Sequence, residues 1–271
     1  MKILVLGGTR FFGKRLVELC IAKGHDVTIL TRGVSDNPFG NNVPQLKIDR
    51  LDDKALHEGL AHTSWDIVFD NICYSSNAAM SIINALHGKT KKLVFTSTLA
   101  TYEADGRIKC ENDFNPYQYN IRMGDHTEFT YGEGKKQAEA VFFSKATFPV
   151  VAVRFPIVVG ENDYTKRLHF HVEKVLKQEP ISLLNADARM SFITDDEAAQ
   201  FLYWAGLAPI EGPYNATAKG SISLKEMVAL IEREVGKQAK LAIVGATKDS
   251  LSPFAIPADY YMSTEKAEIA G

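Results

Sequence analysis

Several things this chain lacks narrow the field before any motif is read. No apolar run approaches the roughly 20 residues needed to cross a bilayer, and the apolar run in the opening "MKILVLGG" is too short for a signal-peptide core. Cysteine is scarce. Cys20, Cys73 and Cys110 are odd in number and lack metal-like spacing, so reduced thiols are expected and a disulfide framework is not. Charge of one sign is also missing: 31 Lys and Arg against 33 Asp and Glu leave a net −2, which gives nucleic acid no electrostatic claim as the main partner. His169 and His171 lie two apart, which separates them on a helix, with no cysteine or carboxylate at ligand spacing. No metal, no membrane and a cytoplasmic location are the expectations.

What is present is ordinary globular material. The chain has 271 residues, 45% apolar and 24% charged, and is long enough to bury a substantial core. Its first half alternates short β-rich runs ("KILVL", "HDVTIL", "DIVFDNI", "KLVFTST") with helix-period stretches ("FGKRLVELCIA", "NAAMSIINALHG"). Such alternation predicts an α/β fold: a Rossmann-like, doubly wound parallel sheet. After about Val150 the regularity loosens, and a smaller carboxy-terminal substrate lobe is expected. The predicted division is 1–155 for dinucleotide binding and 156–271 for substrate, interleaved at the boundary.

"GGTRFFG", residues 7–13, sits between a strand and a helix. In such a turn one glycine makes the tight bend, another lets the backbone approach a pyrophosphate, and a third allows close helix–strand packing. The helix amino terminus adds unpaired N–H groups. Gly7, Gly8 and Gly13 fit the bend and the packing, with Thr9, Phe11 and Phe12 in the same turn, while Arg10 replaces the approach glycine. The next strand ends "ILTRG" with Arg32 and no carboxylate, so Arg10 and Arg32 together favour NADP over NAD. Asp49 either bonds the adenine amino group or caps the helix that follows.

"YGEGKKQAE" places Tyr131 and Lys135 on one helical face. A nearby ammonium favours the phenolate and lowers a phenol pKa of ~10, which predicts Tyr131 as acid/base and Lys135 as its electrostatic helper. "VFTST" closes a core strand with the hydroxyls of Thr96, Ser97 and Thr98, at an edge where α/β sheets place ligands. Asp195 and Asp196 precede an apolar-periodic helix and suit an amino-cap role.

With "VRFPIVVG" and "RMSFITDDEAA", these stretches make the chain resemble the short-chain dehydrogenase/reductase superfamily, in its extended or atypical branch of NAD-dependent epimerases and dehydratases. The resemblance implies Thr98, Tyr131 and Lys135 as the catalytic set, NAD or NADP as cofactor, and a nucleotide-linked sugar as small-molecule substrate. It also implies that Arg189 grips a substrate diphosphate and that a homodimer is a possible assembly. Arg167 and Arg154 are weaker candidates, equally suited to structural ion pairs. The chain departs from the family at Arg10, at "FDNICYSS" and at Glu161. Its "GGTR" is similar to a subgroup containing chloroplast stem-loop-binding proteins, which keeps open a catalytically silent NAD(P) sensor or RNA-binding protein.

Overall fold

"KILVL" forms β1 (Lys2–Leu6), and its unbroken apolar run reflects burial on both faces. Ile3 and Val5 enter one core while Leu4 and Leu6 enter another. The computed structural model describes residues 1–242 and 249–271. The first half continues as α1 (Phe11–Ala22), β2 (Asp26–Thr31), β3 (Gln45–Lys47), α2 (Asp53–Gly59) and β4 (Ile67–Asp70). It is completed by α3 (Ser76–Leu86), β5 (Leu93–Thr98), α4 (Tyr131–Lys145) and β6 (Val150–Phe155). The second half has shorter pieces: β7 (Ile157–Val159), α5 (Arg167–Lys177), β8 (Pro180–Ser182), β9 (Arg189–Met190), β10 (Phe192–Thr194) and α6 (Asp195–Leu207). Then come β11 (Gly212–Asn215), β12 (Ile222–Ser223), α7 (Leu224–Val235), β13 (Lys240–Ala242) and α8 (Glu265–Ala270).

Seven strands form one sheet in the order β11-β6-β5-β4-β1-β2-β3, every pair parallel. Helices α1 and α6 cover one face, and α2, α3 and α4 the other. The chain winds outward from β1 through β2 to β3, then returns to β4 on the opposite side of β1. That reversal opens a crevice beyond the carboxyl ends of β1 and β4, where α/β sheets bind ligands. The expected doubly wound fold is therefore present.

Residues 156–271 hold a separate core that includes Val175, Ile181, Met190, Leu224 and Phe254. They also send α6 and β11 back to the main sheet. Helix α6 begins differently from the expectation. Thr194, not Asp195 or Asp196, is its cap, accepting from Glu197 N at 3.2 Å while Glu197 accepts from Thr194 N. The two aspartates instead lie 3.6 and 3.3 Å from the Arg15 guanidinium.

Candidate active site

The turn after β1 owes its shape to three glycines. Gly7 has φ +80°, and a Cβ there would lie 2.5 Å from Ile72 Cγ2. A Cβ on Gly13 would lie 2.2 Å from the Gly7 carbonyl oxygen, and one on Gly8 would strike Val17 and Ile29. Only glycine lets α1 start this close to the sheet. Arg10 has extended backbone (φ −138°), and its Nη2 donates to Ser35 Oγ at 2.8 Å in the loop after β2. The side chain thus leaves the turn and joins the β2 end, where the exposed Arg32 also lines the cleft. Phe11 and Phe12 line the same opening turn of α1.

The cleft holds about 990 Å³ and reaches from this turn, past the ends of β4 and β5, to the second half of the chain. Gly7, Thr9, Arg10, Gly13, Arg32 and Asp49 line it, while Gly8 is not among the lining residues. Asp49 accepts from Leu51 N at 3.0 Å, and the cap of α2 is Asp52, so Asp49 has no capping task. Two lining residues escaped the sequence reading. Arg50 grips the fully buried Asp70 at 2.7 and 2.9 Å and donates to Ala78 O. Asn71 accepts from Thr96 Oγ1 at 2.7 Å, which turns its amide nitrogen toward the glycine turn, 3.3 Å from where a Gly13 Cβ would be. That buried nitrogen has no hydrogen-bond partner among the described residues. A cradle closed to any Cβ and edged by an unsatisfied donor fits a pyrophosphate-bearing coenzyme.

Tyr131 opens α4, whose cap is Thr130, accepting from Glu133 N at 3.3 Å. Thr98 ends β5, and Lys135 lies one turn into α4; all three line the cleft. Glycines 132 and 134 make this docking possible. A Cβ on either would fall 2.4 Å from Ala100 O or 2.3 Å from Tyr74 O. The side chain of Lys135 is 1% exposed; Nζ donates to Thr96 O at 2.7 Å and stands 4.3 and 4.8 Å from the ring centres of Tyr74 and Phe95. Burial pushes its ammonium down to about 8.

The phenol does not follow the expectation. Tyr131 is raised above the ordinary tyrosine range, foremost by desolvation against the cleft walls, although 58% of the residue's surface is open. The groups that favour its phenolate are the Thr98 hydroxyl and the charge of Arg167. Lys135 is turned into β5 and the two rings, so its help is not the direct ion–phenolate contact that the spacing implied.

Arg167, at the start of α5, lines the cleft. Arg189 does not: its Nε and Nη2 donate to Ser221 at 2.9 and 2.5 Å, and its Nη1 lies 3.3 Å from Glu226. Arg154 is a structural ion-pair partner, fully buried against Glu139. Cys73 is buried, its thiol pushed up to about 11 by desolvation, which makes it a poor nucleophile. His171 is buried and held by Arg167 O and Ser252 Oγ. Among the described residues, no three His, Cys, Asp or Glu are grouped to hold a metal, and no helix is long and apolar enough to cross a membrane.

Comparison with known proteins gives a family and a fold. Residues 3–216 match the model of the NAD dependent epimerase/dehydratase family. A curated relative, the chloroplast stem-loop binding protein of 41 kDa b of Arabidopsis thaliana, is 25% identical over 218 residues, covering 74% of this chain and 54% of the relative. The chain thus spans about half the length of that relative. Solved structures share the fold at low identity. UDP-glucose 4-epimerase of Thermus thermophilus, complexed with NAD, is 18% identical with TM-score 0.74, covering 99% of this chain and 92% of that one. WbmG of Bordetella bronchiseptica, complexed with NAD and UDP, is 15% identical with TM-score 0.76, covering 99% and 87%.

Proposed function

Because this chain belongs to the NAD dependent epimerase/dehydratase family, we propose that it exchanges hydride between a nicotinamide coenzyme and a sugar carbon, as an epimerase, dehydratase or reductase. The observation that carries this reading is the convergence of Tyr131, Thr98 and Lys135 on one cleft with the glycine turn. The bound coenzyme supplies the hydride acceptor or donor. Tyr131 takes the proton from the substrate hydroxyl as its carbon is oxidised, or returns it to the carbonyl oxygen on reduction. Thr98 hydrogen-bonds the same oxygen and steadies the phenolate. Lys135 offers its remaining ammonium protons to the ribose beside the nicotinamide. UDP-glucose, the substrate in one neighbour's name, supports a sugar framework.

Replacing Tyr131 with Phe tests the assignment. Turnover should fall roughly 10²- to 10⁴-fold, as expected for loss of a general acid/base, with coenzyme affinity little changed; undiminished turnover would falsify it. Arg10, Arg32 and Ser35 at the β2 end, with no carboxylate among them, favour the 2′-phosphate of NADP. Calorimetric titration should show NADPH binding roughly tenfold or more tighter than NADH, the scale of a hydrogen bond to a charged group. Equal affinities refute the preference.

The Arabidopsis relative's name favours a second reading: stem-loop binding, or coenzyme sensing, on this fold without turnover. A labelled RNA stem-loop that stays unshifted at moderate salt dismisses the RNA form.

A further inference from the structure

The half of the cleft built by residues 156–271 is poor in charge. Among its described lining residues Arg167 alone is ionic, and Pro156, Ile157, Met190, Ile256 and Tyr260 supply apolar and aromatic walls. The Arg167 guanidinium is held in place: Nε donates to Thr165 Oγ1 at 2.9 Å and Nη2 to Val158 O at 3.3 Å. Nη1 has no partner among the described residues. Arg167 lines the same cleft as Tyr131, and its charge favours the phenolate there.

The cleft's other cations are engaged elsewhere. Arg10 and Arg32 stand at the β2 end, Arg50 grips Asp70, and Lys135 bonds Thr96. Arg189, the residue matched to a diphosphate grip, spends its guanidinium on Ser221 and Glu226 outside the lining. A diphosphate carries two adjoining anionic groups. In this half of the cleft Arg167 can pair with one of them, and among the described lining residues there is no second cation for the other. A single carboxylate or phosphate is matched by one arginine.

We infer that the second half of the cleft takes a sugar bearing one anionic group, docked on Arg167, in place of a nucleoside diphosphate sugar. The inference rests on the hydride-transfer reading and replaces only the handle. It makes Arg167 a specificity-determining residue, positioned to set the distance between the anion and the oxidised carbon.

Calorimetry on the coenzyme-loaded protein tests it, with glucuronate, glucose 6-phosphate, UDP and UDP-glucose as probes. At least one single-anion sugar should bind more tightly than UDP and UDP-glucose. Arg167→Gln should weaken that binding roughly tenfold or more, in line with loss of a charged hydrogen-bond donor, and leave coenzyme affinity unchanged. Arg189→Gln should leave sugar affinity unchanged, with circular dichroism confirming that both variants are folded. Tighter binding of UDP or UDP-glucose overturns the inference, as does failure of both single-anion probes to bind or indifference to Arg167→Gln. A protein that binds neither NADH nor NADPH defeats the hydride-transfer reading instead, so the two failures are distinguishable.

Discussion

Lys135 shows how far a single side chain can be displaced from its solution chemistry. It is held by a carbonyl and two rings, with an ammonium pushed down to about 8 by burial. In an unfolded chain the same group titrates near ~10.4. Between those values the folded protein binds fewer protons than the unfolded one, so stability rises with pH across that window. Below it Lys135 is charged in both states, and the native state carries the full cost of desolvation. Lys135→Met should therefore melt higher than the wild type near pH 7 while losing turnover, and the difference should shrink as pH rises past 8 toward 10. Thermal melts across that range check it; a gap independent of pH refutes it. The tyrosine–lysine spacing was legible in the sequence. The carbonyl of Thr96 and the ring of Tyr74, which decide where the ammonium points, belong to other elements and were not.

At the scale of elements, α4 is instructive because its opening turn contains two glycines. Each costs a helix roughly 1 kcal/mol relative to alanine, so their presence is a signal that something must pass close by. The carbonyls of Ala100 and Tyr74 do so. Gly134→Ala should thus destabilise the protein by about 1–3 kcal/mol, the usual cost of overpacking, although propensity alone predicts a gain. Urea denaturation decides between the two signs, and increased stability would refute the docking argument. This signal could have been read beside Tyr131 and Lys135. Asn71 and Arg50 could not, because Thr96 and Asp70, which orient them, lie 25 and 20 residues away. Periodicity and turn residues made the strands and helices of the first half readable. "GPYN" is four residues opening with Gly-Pro, and its place beside β6 depends on tertiary packing.

Across the whole molecule, the Arg154–Glu139 pair is the centre of a network that joins segments far apart in the chain. Both are fully buried, with contacts of 3.0 and 2.6 Å. Ser97 also donates to Glu139, while Arg154 donates to Tyr102 Oη and to the carbonyls of Glu111 and Phe114. Tyr102 in turn donates to Asn215 on β11 at 2.6 Å. Arg154→Met strands a buried carboxylate and should cost roughly 3–5 kcal/mol. Adding Glu139→Leu should recover part of that loss, and chemical denaturation of the single and double variants checks both expectations. The late arrival of β11 has a consequence for biosynthesis. As the nascent chain leaves the ribosome, the outer edge of β6 waits for roughly 60 more residues, on the order of 3–12 s of translation at ordinary rates. Throughout that interval it offers bare amides and carbonyls to any neighbouring strand. A chaperone that engages this protein during synthesis should therefore be needed most between the completion of β6 and the emergence of β11.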